Sequence, residues 1–87
     1  MIFLEKITKE LQDIIIALRP NFREKDKKEI LELCEHNEHE IAFEVLCSQI
    51  GEFDIPISQE TFERIKKLGE ELNIDPLYTE SMRSLVK

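Results

Sequence analysis

The sequence predicts an all-α fold, a small bundle of four to five helices with short connections. Apolar residues recur at three- and four-residue steps along most of the chain, the period of a helix with one buried face. No stretch alternates apolar with polar residues as a half-buried strand does. The breaks in the pattern fall at residues that stop helices: Pro20, Asn37, the Gly51 to Pro56 segment and Asp75-Pro76. With 87 residues the chain makes a single domain, 1–87. A domain of this size buries somewhat more than ~60% of the surface its unfolded chain exposes.

Phe3, Leu4, Ile7, Leu11, Ile14, Ile15 and Leu18 form one stripe of a first helix. Pro20 ends it, because proline disfavours helical geometry in the residue before it. Asn21, with Glu24 three residues on, matches a capping box and predicts the start of a second helix. The inner face of that helix is narrow: Ile30, Leu33 and Cys34 flanked by Leu31, with Lys25, Lys28, Glu29, Glu32 and Glu35 outward. His36, Asn37 and Glu38 make a helix-to-helix turn, asparagine being tolerant of left-handed geometry.

The third helix runs from about Glu38 to Ile50. Ala42, Phe43, Val45, Leu46, Cys47 and Ile50 spread over more than half its circumference, so it is central, with Glu40, Glu44 and Ser48 as its solvent strip. Gly51 is the expected C-cap, and Glu52 to Ile57 a loop held by Pro56. Ser58 is an N-cap for the fourth helix, with Ile57 and Phe62 placed as a hydrophobic staple around it. Phe62, Ile65, Leu68, Gly69 and Leu72 share its buried stripe. Asp75-Pro76 opens a last helix whose Leu77, Tyr78, Met82, Leu85 and Val86 are expected inward.

Composition excludes several classes. Hydrophobic residues at 41% and charged residues at 36% fit neither a disordered chain nor a membrane protein. The longest apolar run, Ile14 to Leu18, is far short of the ~20 residues that span a bilayer. The N-terminus carries Glu5 and Glu10 and no small-residue cleavage site, so it is not read as a signal peptide and the cytoplasm is the expected compartment.

Nineteen acids against 12 bases give a net charge of −7. Nucleic acid requires Lys and Arg to displace its counterions, so direct binding to DNA or RNA is not expected, and a basic partner is. The charge is uneven: from Glu29 to Glu63 there are ten acids and no Lys or Arg. The flanks hold the other nine acids and all 12 bases. Such a block is at the least a solvated face that keeps a small protein soluble.

Few residues are arranged for chemistry. With only Gly51 and Gly69, the phosphate-binding loops and nucleophile elbows are absent. No segment has the alternating oxygens of a calcium loop. Cys34 and Cys47 sit among apolar residues as small core hydrophobes, fit no zinc spacing and are not expected to form a disulfide. His36 and His39 lie among Glu35, Glu38 and Glu40, but the turn at Asn37 separates them. They are read as solvated, so no metal or cofactor is expected. Carboxylates such as Glu40 and Glu44 need a cleft to act as acid and base, and on an exposed strip they are simply charged. No catalytic residue is assigned. An acyl carrier is also short, acidic and helical, but Ile57-Ser58-Gln59 lacks its attachment motif.

The stretch HNEHEIAFEVLCSQIGEFDIPISQETFERIKKLGEELNI, His36 to Ile74, resembles the MafI family of bacterial immunity proteins. The resemblance is carried by a Glu-containing turn into IAFEVLC (Ile41 to Cys47), by DIPIS (Asp54 to Ser58) and by FERIKKLGEEL (Phe62 to Leu72), and covers 39 of 87 residues. It implies a small helical protein that binds a toxin domain one-to-one and blocks it in the producing cell. The family's best-known toxins are ribonucleases of the EndoU type, which cut RNA with histidines and a lysine in a basic cleft. An immunity protein of the DNase-colicin type is disfavoured, since its paired-tyrosine-proline signature is missing: Tyr78 is the single tyrosine, and no proline follows it.

On this reading an acidic helical surface fills a cleft built to attract phosphates. The expected toxin-binding residues are Glu35, Glu38, Glu40, Glu44, Glu52 and Asp54, around the turn between helices two and three and the loop between three and four. Phe53 is the expected buried anchor, and Tyr78 a second, although each also has a place in the core. The alternative is an acidic adaptor or regulatory module that binds a basic segment of a cytoplasmic partner. Ile2 and Ile16 fall off the first helix's stripe and suggest a self-association surface.

Overall fold

The computed structural model describes residues 2–87, Ile2 through its backbone alone. Five α-helices follow one another: α1 (Ile2–Ala17), α2 (Glu24–Glu35), α3 (His39–Glu52), α4 (Gln59–Glu71) and the single turn α5 (Leu77–Glu80), with a 3-10 turn at Arg83–Leu85. The described residues contain no strand. One isolated parallel bridge joins Ile57 to Val86.

One core runs through the molecule. Ile7, Leu11, Ile14, Ile15 and Leu18 of the α1 stripe are buried, and so are Phe62, Ile65, Leu68 and Leu72 from the last two-thirds of the chain. Fully burying an aliphatic side chain of this size stabilises by about 1.5–3 kcal/mol. As its wide apolar arc predicts, α3 is central and packs against α1, α2 and α5. Ala42, Phe43, Leu46, Cys47 and Ile50 are buried, and Val45 packs partly against them. Phe3 departs from the expected stripe. It sits in the first turn, where few neighbours reach it, and is exposed, as is Ile16.

Three helices end in the same way. Asn37, Asp54 and Asn73 take positive φ values of 59°, 48° and 59°. After α2, Glu38 N–H donates to Leu33 O at 2.9 Å and Asn37 N–H to Cys34 O at 3.0 Å. After α3 the pair is Ile55 N–H to Ile50 O and Asp54 N–H to Gly51 O; after α4 it is Ile74 N–H to Gly69 O and Asn73 N–H to Glu70 O. These are Schellman closures in which Asn or Asp supplies the left-handed residue. Gly51 is therefore not the cap expected of it. It lies inside α3, which continues to Glu52.

One helix start differs from expectation and another agrees with it. The Asn21–Glu24 capping box does not form: α2 begins at Glu24 with Arg23 at the cap position and no side-chain cap. Phe22 turns into the core between them, and a two-point ion pair from Arg23 to the buried Asp26, at 2.8 and 3.2 Å, holds the helix start. Ser58 does cap α4, accepting from Thr61 N–H at 3.0 Å, with Ile57 and Phe62 buried on either side.

The C-terminus is not one amphipathic helix. Asp75 Oδ1 accepts from Leu77 N–H at 3.0 Å, and α5 stops after one turn. Met82 is buried and Leu85 and Val86 pack partly on the core, but Leu77 is 72% and Tyr78 38% exposed. The chain then ties back to the α3–α4 loop through Ile57 N–H to Leu85 O at 3.1 Å and Lys87 N–H to Ile57 O at 2.9 Å.

Candidate functional site

Charge is divided by partnership as well as by sequence. Ion pairs join Lys6 to Glu71, Lys9 to Asp13, Arg64 to both Glu10 and Asp13, Arg23 to Asp26, and Arg83 to Glu80. Every acid in them belongs to the flanks. Among the described residues, none of the ten acids from Glu29 to Glu63 has an ion-pair partner. The side-chain hydrogen bonds from Arg23 hold the Asp26 carboxyl below its ordinary range, and those from Arg83 do the same for Glu80. Among the described residues, five of the nine flanking acids are thus paired, and none of the central ten is.

Six of the seven residues expected to bind fall into two groups. Glu35, at the end of α2, Glu38 in the turn and Glu40 in the first turn of α3 are exposed at one end of α3. Glu52, Phe53 and Asp54 are exposed at its other end. At 1.5 Å per residue, Glu40 and Glu52 are about 18 Å apart along the axis. Glu44 lies between them and is half-buried rather than fully in the solvent strip. A standard interface of about 800 Å² per partner, roughly 30 Å across, is longer than this separation.

Phe53 is already engaged within the chain. The Arg23 guanidinium lies 4.3 Å from its ring centroid while pairing with Asp26. This end of the acidic surface therefore carries a cation stacked on its aromatic residue.

At the other end stands an apolar residue outside the expected set. Ile41 is 47% exposed. Steps of 100° put residue 41 within 20° of Ser48, at the edge of the outer strip. Two shallow depressions meet at Ile41. One, of about 330 Å³, lies between Glu29 of α2, Glu44, Val45 and Ser48 of α3, and Tyr78 of α5. The other, of about 280 Å³, is bordered by Phe3, Leu72, Glu38 and Glu40. No Lys or Arg lines either one. A larger depression of about 550 Å³ borders residues of α2 alone and has no second wall.

His39 overturns the reading of both histidines as solvated. It is buried at the head of α3, with Nε2 2.8 Å from Thr8 Oγ1. The Thr8 hydroxyl donates to Leu4 O at 3.1 Å and so accepts from Nε2–H, and Nδ1 has no hydrogen-bond partner among the described residues. His36 is exposed and donates from Nδ1 to Glu32 O at 2.8 Å. The described residues hold no group of three or more His, Cys, Asp or Glu arranged for a metal. Cys34 and Cys47 are free and buried, and burial pushes the Cys47 thiol up to about 12, with the Glu44 charge acting in the same direction. No described helix is long and apolar enough to cross a membrane.

Neither a protein-family model, nor a curated protein, nor a solved structure matches this chain.

Proposed function

We propose that this protein is an immunity protein, acting in the cytoplasm, that binds a cognate nuclease toxin domain one-to-one. It neutralises that domain by laying an acidic helical surface in its basic active-site cleft. The toxin on this reading is an EndoU-type ribonuclease of a contact-dependent or Maf-type system, the class implied by the resemblance of His36 to Ile74. The protein acts by binding, without chemistry of its own.

The observation that carries the reading is the unpaired state of the central acids. Like charges left unbalanced on a small domain repel one another and destabilise the compact state. Twelve bases are present in the chain, yet among the described residues the ion pairs use only flanking acids. A basic cleft supplies the missing counter-charge, and complementary charge raises association from a neutral ~10^5–10^6 toward ~10^8–10^9 M⁻¹s⁻¹ at low salt. A second reading, an adaptor for a basic segment of another cytoplasmic protein, is favoured by the shallow form of the depressions beside Ile41.

The test is capture of the nuclease domain encoded immediately upstream by the full chain, followed by RNA cleavage at increasing inhibitor ratios. Cleavage ending at one equivalent is the expected result. No capture, or capture with cleavage intact, contradicts the immunity reading and leaves the adaptor.

A further inference from the structure

We propose that the surface on either side of Ile41 is the anchor site of the acidic face, and that it takes a cationic amphipathic segment of a protein partner. One apolar side chain of that segment seats between Ile41 and Tyr78. Lys or Arg on its flanks reach Glu29 and Glu44 on one side and Glu38 and Glu40 on the other. This deepens the reading of the protein as an acidic binder and rests on it.

Charge alone seldom gives tight binding; affinity concentrates in a few partly buried aromatic and aliphatic anchors. The acidic face offers two places for one. At the Phe53 end the ring is exposed but the Arg23 guanidinium lies over one of its faces, so a cationic segment arriving there meets a like charge beside the aromatic. At the Ile41 end, Ile41 and Tyr78 are exposed, and both adjoining depressions are bordered by acids with no base. Tyr78 is also held ready. Asp75 fixes the start of α5, α5 packs on α3 and α4, and Thr79 and Met82 anchor it in the core. A tyrosine on a rigid element gives up little entropy on contact.

The occupant follows from the same residues. Nucleic acid is repelled by four carboxylates. A second copy of the chain, docked about a two-fold axis, brings this patch against itself and sets those carboxylates face to face. A peptide segment with an apolar centre and basic flanks satisfies both kinds of neighbour.

The probe is an amidated dodecapeptide with a central Phe and Lys three and four residues to either side, the rest Ala and Ser. It is titrated into the 15N-labelled full chain and read by amide chemical shifts. Saturable shifts centred on Ile41, Val45, Ser48 and Tyr78 are expected. Binding should weaken at least tenfold in Ile41→Ala/Tyr78→Ala and in a peptide with Ser for the central Phe. Shifts centred on Glu52 to Asp54, shifts indifferent to these changes, or no saturable binding overturn the anchor site. A parallel arm uses the upstream nuclease domain. If wild-type chain and Ile41→Ala/Tyr78→Ala stop cleavage equally, the anchor site is wrong and the immunity reading stands. If the wild-type chain does not stop cleavage, the immunity reading fails, and the peptide titration alone decides the anchor site.

Discussion

Single residues carry consequences that their type does not announce. His39 is buried with one ring nitrogen bonded to Thr8 and the other bare. The sequence offers Glu38 and Glu40 beside it, which suggest solvent, but the turn at Asn37 rotates the head of α3 so that residue 39 faces α1. Thr8→Val keeps the shape of residue 8 and removes the acceptor for Nε2–H, leaving both ring nitrogens unpartnered. A buried group stripped of its partner costs about 1–3 kcal/mol. The expected result is a fall in urea-unfolding free energy of that size; an unchanged midpoint would mean that the contact contributes nothing. Ile41 is the converse case, an apolar residue on a charged strip, and grouping it with the apolar residues of IAFEVLC hides that it points outward.

At the scale of elements, periodicity was enough for α1, α3 and α4, because burial on one face repeats through each helix and averages over single exceptions such as Phe3. The Ser58 cap and its Ile57–Phe62 staple were legible for the same reason, since cap and helix agree. Helix ends that depend on tertiary contacts were not. The Asn21–Glu24 spacing is right for a capping box, but burying Phe22 outweighs one capping bond, and the start of α2 passes to Arg23 and Asp26. Gly51 looked like a stop, yet Asp54 is the residue that takes the left-handed turn three positions later. The C-terminal pattern misleads because its five apolar residues suit one inward stripe, whereas the chain ends α5 after a turn and straps itself to Ile57. The Arg23–Asp26 pair also makes the start of α2 pH-dependent. The folded-state value of Asp26 lies below the ~3.9 of an unfolded aspartate. Its contribution is therefore present above that value and lost as pH falls through the folded one. Asp26→Asn should be less stable than the parent near neutral pH, with the gap closing as both are acidified below the ordinary aspartate range. A gap that is constant across the range would mean that ionisation of Asp26 is not what holds the turn.

For the molecule as a whole, what matters is which charges are spent internally. The acidic block was visible as sequence, but the ion pairs that exclude all ten of its acids were not, because they depend on how α1 packs on α4 and how Arg23 and Arg83 fold back on neighbouring carboxylates. The expected binding residues were found as two exposed groups at opposite ends of α3, with an apolar patch between α3 and α5 that spacing alone had not singled out. An acidic surface so arranged should act first on the rate of encounter. The most direct measurement is stopped-flow association of the full chain with the upstream nuclease domain across ionic strengths from about 10 mM to 1 M, where the screening length falls from ~30 to ~3 Å. The association rate should drop by about a hundredfold or more toward the ~10^5–10^6 M⁻¹s⁻¹ of an unsteered encounter, with dissociation changing little. An association rate indifferent to salt would contradict the claim that the unpaired acids of the central block drive binding.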